Sequence, residues 1–111
     1  MTDALHDLKD IDIPADTAHD LMMHADNPPA VIDVRTPEEF GARHIPGARN
    51  IVLDDILAGK IPPEMDDKNA LYLLYCRSGR RSGIAARWLS ERGWKHVHNF
   101  GGILDWPYET T

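Results

Sequence analysis

Apolar and polar positions along the chain fall into short blocks whose period changes from one block to the next. Between Asp16 and Ala25, Ala18, Leu21, Met22 and Ala25 recur at the spacing of one helix face, and Asp16 or Thr17 is placed to cap the start. Ala30-Val31-Ile32-Asp33-Val34 is a β-branched run bounded by Pro29 and Thr36-Pro37, as expected of a buried strand. Thr36-Pro37-Glu38-Glu39 then predicts a helix start, with Thr36 as N-cap, Pro37 in the first helical position and Glu39 as the capping-box partner. Ala48 to Ile51 predicts a short strand and Leu53 to Ala58 a short helix ending near Gly59. Ala70 to Tyr75 is apolar throughout, the mark of a strand covered on both faces, and Cys76 stands at its carboxyl end.

From Ser82 to Arg92, Ile84, Ala85, Trp88 and Leu89 share one helix face. Arg87 and Glu91 stand four apart, as a pair would, and Gly93 supplies the stop. Lys95 to Phe100 predicts a final strand, followed by Gly101-Gly102 and an apolar end at Ile103, Leu104 and Trp106. Strands alternating with helices predict an α/β fold around a mainly parallel sheet.

The chain has 111 residues, a single-domain length; we expect one domain over 1–111 with its core between about 13 and 107. Its composition, 42% hydrophobic and 27% charged, excludes intrinsic disorder and a membrane-spanning chain. A net charge of −6 argues against coating nucleic acid or an anionic membrane, so neither is expected as a partner. The acidic N-terminal stretch lacks the basic start and apolar run of a secretory signal, and a cytoplasmic location is the expectation. Charge is nevertheless uneven: Arg77, Arg80, Arg81, Arg87 and Arg92 cluster within 16 residues that hold one acid, Glu91.

Cys76 is the single cysteine, which removes any intramolecular disulfide and any thiolate cluster for zinc; no metal site is expected. Free cysteine is often a small buried core residue. Here, however, Cys76-Arg77-Ser78-Gly79-Arg80-Arg81-Ser82 joins a buried strand to a helix start, the place where open α/β sheets put ligands. A glycine-containing turn there directs backbone N–H groups inward, and the helix dipole adds positive potential. A thiol so placed among arginines should ionise readily, and the thiolate is the nucleophile. No histidine base adjoins Cys76 in sequence, which favours soft sulfur chemistry, with a leaving group that departs as a stable anion, over ester or peptide cleavage.

Three segments in order, Val31-Ile32-Asp33-Val34-Arg35 with Glu38-Glu39-Phe40, His44-Ile45-Pro46-Gly47-Ala48, and Tyr75-Cys76-Arg77-Ser78-Gly79-Arg80-Arg81-Ser82, resemble the single-domain rhodanese family of sulfurtransferases. Asn99-Phe100-Gly101-Gly102 with Ile103 and Trp106 resembles that family's closing signature. The resemblance implies a three-layer fold with a central, mainly parallel five-stranded sheet between helices. It also implies a ping-pong cycle without cofactor. Cys76 takes a sulfane sulfur from thiosulfate, or from a persulfide or polysulfide donor, becomes a persulfide, and passes the sulfur to cyanide, a thiol or a sulfur-accepting protein. Backbone N–H groups of Arg77, Ser78, Gly79, Arg80, Arg81 and Ser82 would cradle the transferred sulfur. Arg77 is assigned to the donor's sulfonate, with Arg81 as second candidate. Two positions depart from the family pattern: Ser78 stands where thiosulfate-using relatives carry lysine, and Arg43 where glycine usually precedes the histidine. A positive φ at Arg43 would cost about 1 kcal/mol.

Other conspicuous residues have plainer readings. The family resemblance implies that Asp33 and Arg35 brace loops around the sheet; His44 is expected to form a structural hydrogen bond, the tryptophans to pack in the core or at its rim, and His96 and His98 to lie on a solvated edge. Two functional rivals stand beside the enzyme. A cysteine phosphatase or arsenate reductase would need arginine where Ser82 follows Cys76 at the sixth place. A persulfide carrier or sensor would use the same Cys76. Oligomeric state is not legible.

Overall fold

The computed structural model of the chain describes residues 10–111. The element order is α1 (Ala15–His24), β1 (Ala30–Asp33), α2 (Pro37–Ala42), β2 (Arg49–Asn50), α3 (Leu53–Leu57), β3 (Leu71–Cys76), α4 (Arg80–Glu91) and β4 (His96–Gly102). Single 3-10 turns lie at Pro63–Met65 and Ile103–Asp105. The fully apolar run becomes β3, in the interior of a sheet ordered β2-β1-β3-β4 in which every pairing is parallel.

Alternation along β3 explains why that run has no polar face. Tyr72, Leu74 and Cys76 pack with Ile56 of α3 and Ala85, Ala86 and Leu89 of α4. Leu73 and Tyr75 point the other way, onto Ala18 and Leu21 of α1 and onto Ile103 and Trp106. Helix, sheet and helix form three layers. The aromatic polar atoms of the inner strands and of Trp94 are paired: Tyr72 Oη donates to the Asp67 carbonyl, Trp94 Nε1 donates to the Met65 carbonyl, and Tyr75 Oη accepts from Ile45 N.

The strand count differs from the expected five. Among the described residues four strands form, and a fifth is reduced to one parallel bridge, Asp12 with Asn99, on the outer edge of β4. Its two hydrogen bonds, Asn99 N to Ile11 O and Ile13 N to Asn99 O, go no further, because Gly101 N–H donates to Asn99 Oδ1 and the chain turns into α1 at Ala15. The bridge covers His98, which is 4% exposed and donates from Nδ1 to the Asp10 carbonyl at 2.7 Å. His98 is thus buried and not on a solvated edge. Burial holds its proton affinity below the ordinary histidine value.

Local signals near the site hold in detail. Thr36 Oγ1 accepts from Glu39 N and Glu39 Oε1 accepts from Thr36 N, closing the capping box around Pro37. By contrast, α1 begins at Ala15 after Pro14 with no side-chain cap; Asp16 turns back to its neighbour's N–H instead. Arg43 is in extended backbone at φ −168°, so it carries no strain, and its carbonyl accepts from Arg35.

Arg35 and Asp33 hold the carboxyl ends of the sheet together. The Asp33 carboxylate is fully buried and takes Arg35 Nε and Nη2, the latter at 2.6 Å, while Asn50 Nδ2 ties the Asp33 and Arg35 carbonyls. Removing one partner strands a buried charge. Arg35→Ala is therefore expected to lower the unfolding free energy by about 3–5 kcal/mol in urea titrations.

Candidate active site

The chain runs from β1 to β2 on one side and returns as β3 on the other, which makes the carboxyl ends of β1 and β3 the switch point of the sheet. β3 delivers Cys76 there, and only Arg77, Ser78 and Gly79 separate it from α4. Gly79 makes this short turn possible with φ of 101°, a left-handed value that residues with a Cβ rarely adopt. The turn aims Gly79 N–H at Cys76 Sγ at 3.0 Å, and the first turn of α4 brings Ser82 Oγ to 3.4 Å from the same sulfur.

Cys76 is 1% exposed, as a plain core residue would be. Its hydrogen bonds set it apart from one. Burial pushes the thiol up, but the Ser82 side chain and the backbone N–H groups of Ser82, Gly79 and Ser78 together outweigh it, and the proton affinity falls below the ordinary cysteine value. The desolvated sulfur is held by donors at the N-terminus of a twelve-residue helix.

The arginines divide into two groups. Arg81 is committed to Glu39 by two parallel bonds, Nη1 to Oε1 at 2.8 Å and Nη2 to Oε2 at 3.0 Å. Arg77 and Arg80 are exposed around the turn and, among the described residues, form no ion pair. Ser78 is exposed between them. Arg87 does not pair with Glu91: its Nη2 donates to Asp12 Oδ2 at 2.8 Å and its Nη1 to the Gly83 carbonyl, because the edge bridge brings Asp12 beside α4.

Four contributors were not assigned roles from sequence. Glu39 was visible only as a capping residue, yet it also fixes Arg81. Asn99 was seen as part of a motif, yet its side chain joins Ser82, Gly79, Gly101 and Asp12. Gly101 and Gly102 form the back wall: an extra residue on β4 between the pairs Leu74–Asn99 and Cys76–Gly102 bulges the strand at Gly101, where φ is 104°. The bulge presses Gly102 against the backbone of Arg77 and Ser78, where a Cβ would overlap the Arg77 carbonyl oxygen. Among the described residues no group of three His, Cys, Asp or Glu side chains is placed to hold a metal ion.

The model of the rhodanese-like domain matches residues 15–108. The chain belongs to the rhodanese family. It is 45% identical over 74 residues to the thiosulfate sulfurtransferase PspE of Escherichia coli (strain K12), covering 67% of this chain and 70% of that protein. It is 38% identical over 81 residues to the putative sulfur carrier protein YrkF of Bacillus subtilis (strain 168), covering 72% of this chain and 42% of that longer protein, so it spans less than half of YrkF. Among solved structures, a rhodanese with anions from E. coli superposes with a TM-score of 0.62 at 40% identity, covering 74% of this chain and 95% of that one. This rhodanese is therefore a member of a sulfurtransferase family with the family's α/β fold. No helix among its described residues is long and apolar enough to cross a membrane.

Glu39 gives the rhodanese site a pH signature. Hydrogen bonds from Arg81, assisted by those at Thr36, lower its carboxyl from 4.5 to about 2 despite partial burial. A depressed carboxylate stabilises the fold above its unfolded value and loses that contribution as pH falls through the folded value. Unfolding free energy is thus expected to drop between pH 4.5 and about 2, and Arg81→Met should flatten that part of the profile. Gly102→Ala, which cannot fit beside the Arg77 carbonyl, is expected to release the turn and return the thiol titration, read by alkylation rate against pH, towards that of free cysteine.

Proposed function

We propose that this rhodanese moves a sulfane sulfur through a persulfide on Cys76. The observation that carries the reading is the pair of donors on Sγ, Gly79 N at 3.0 Å and Ser82 Oγ at 3.4 Å, at the start of a helix. The Cys76 thiolate attacks the outer sulfur of thiosulfate; the S–S bond of the donor breaks and its electron pair leaves with sulfite. The new terminal sulfur is an anion, and N–H groups of the segment Arg77 to Ser82 suit it as they suit the thiolate. Cyanide or an acceptor thiolate then attacks that sulfur, and the electron pair of the Cys–S bond returns to Cys76. No base is required at any step. Similarity to a thiosulfate sulfurtransferase supports thiosulfate as donor.

Arg77 and Arg80 suit the donor's sulfonate, since both are exposed beside the turn, whereas Arg81 is already engaged by Glu39. Ser78 adds no charge between them, which leaves persulfides and polysulfides as further donors. A phosphatase role is disfavoured, because α4 starts four residues after Cys76 and Ser82 occupies the place of that class's arginine. Delivery of sulfur to a protein partner is a second reading, favoured by similarity to a putative sulfur carrier. A reducing cytoplasm, where a lone cysteine stays a thiol, is the setting that fits the cycle.

Intact mass is the test. Incubation with thiosulfate is expected to add one sulfur atom, cyanide to remove it, and Cys76→Ala to abolish the gain. Arg77→Ala should raise the thiosulfate concentration for half-maximal loading by about tenfold while the loading maximum is kept. No mass gain with thiosulfate or polysulfide would contradict the persulfide cycle.

A further inference from the structure

The side-chain amide of Asn99 is almost fully buried and every one of its hydrogen-bonding positions is filled. Nδ2 donates to Asp12 Oδ1 at 2.9 Å and to the Gly79 carbonyl at 3.2 Å, both of them pure acceptors. Oδ1 accepts from Gly101 N at 3.1 Å and faces Ser82 Oγ at 2.6 Å. These partners fix which end of the amide carries the oxygen, because a flipped amide would set NH2 against Gly101 N–H and oxygen against two acceptors.

Ser82 has one hydroxyl proton and three acceptors around it. Asn99 Oδ1 lies at 2.6 Å, Cys76 Sγ at 3.4 Å and the Gly101 carbonyl at 3.4 Å. While Cys76 is a thiol its own proton can point to Ser82 Oγ, and the Ser82 proton goes to Asn99. When Cys76 ionises, the sulfur becomes the strongest acceptor within reach and the hydroxyl rotates to it, leaving Asn99.

Resting on the reading of Cys76 as the nucleophile, we propose that Asn99 is a positioning residue: it competes with the Cys76 sulfur for the single Ser82 proton and so governs how readily the thiolate forms. Asp12 holds the amide in this orientation from the edge bridge, so the contest at the sulfur is anchored at the margin of the sheet. Charged groups face the pair from each neighbouring element. Arg81 of α4, held by Glu39 of α2, lies towards the sulfur, with the Asp33–Arg35 pair at the end of β1 beyond it; Asp12, held by Arg87, lies towards the amide. None of these carries a hydroxyl that can turn between Asn99 and the sulfur. Gly79 also touches both, its N–H on the sulfur and its carbonyl on Asn99 Nδ2, but it has no proton that can pass from one to the other; Ser82 does.

The single cysteine makes its ionisation readable from thiolate absorbance, below the range where tyrosines ionise, without interference from another thiol. In the isotopically labelled full chain, the Asn99 side-chain carbonyl carbon is expected to shift upfield with the same midpoint as the thiolate signal. In Ser82→Ala that shift disappears although the thiol still titrates. A carbonyl that ignores the thiol's ionisation, or that moves equally in Ser82→Ala, overturns the proposal. A mutant cycle gives a second readout: Asn99→Ala should move the thiol midpoint lower with Ser82 present than with Ala at 82, by about one pH unit or tenfold in thiolate fraction. Equal shifts in both backgrounds overturn it. Neither readout uses a sulfur donor, so failure of the relay and failure of the persulfide cycle are told apart by the mass measurement.

Discussion

β4 presses on the turn after Cys76 so closely that residue 102 has no room for a side chain, and the geometry around Cys76 Sγ follows from that contact. The Arg77 carbonyl is covered by Gly102 and takes the Leu104 N–H, while Gly79 abuts Gly101. A turn clamped from behind has its N–H groups directed to the other side, where Sγ lies. Two glycines at positive φ, one in the turn and one at the bulge, make the approach possible without strain in any residue that carries a Cβ.

Electrostatics divides the labour around this clamp. A buried sulfur by itself resists ionisation; hydrogen bonds from Ser82, Gly79 and Ser78 reverse the sign of the shift. Among the arginines, Glu39 takes Arg81 and Asp12 takes Arg87, while Arg77 and Arg80 stand exposed beside the turn with no ion pair among the described residues. Net acidity of the chain and a locally basic rim therefore coexist, and the rim is where an anion meets positive potential.

What sequence revealed was local chemistry. The capping box at Thr36, the two-sided apolar β3 and the turn at Gly79 each depend on neighbours a few residues apart, and each is present in the structure; the family resemblance gave Asp33 and Arg35 a bracing role, and the structure adds that they pair with each other. What stayed hidden was partner choice across the fold. Arg87 had Glu91 within one helical turn, but its geometry is settled by Asp12, 75 residues away. His98 looked like half of a solvated pair, but it is buried beneath the segment that carries the bridge at Asp12, and the same bridge stands in for the expected fifth strand because the chain turns into α1 at Ala15. Asn99 had no visible role for a related reason: its four partners come from the edge bridge, the turn, α4 and its own bulge, and only the folded sheet brings them together.

The proposed persulfide cycle depends on one feature, a turn after Cys76 that holds a sulfur anion through backbone donors. A crystal structure of the thiosulfate-treated protein tests it most directly. One additional sulfur bonded to Cys76 Sγ, enclosed by N–H groups of the Arg77–Ser82 segment at hydrogen-bonding distance, is the expected result. An added sulfur turned away from those donors, or a turn that must open before Cys76 can be loaded, would contradict it.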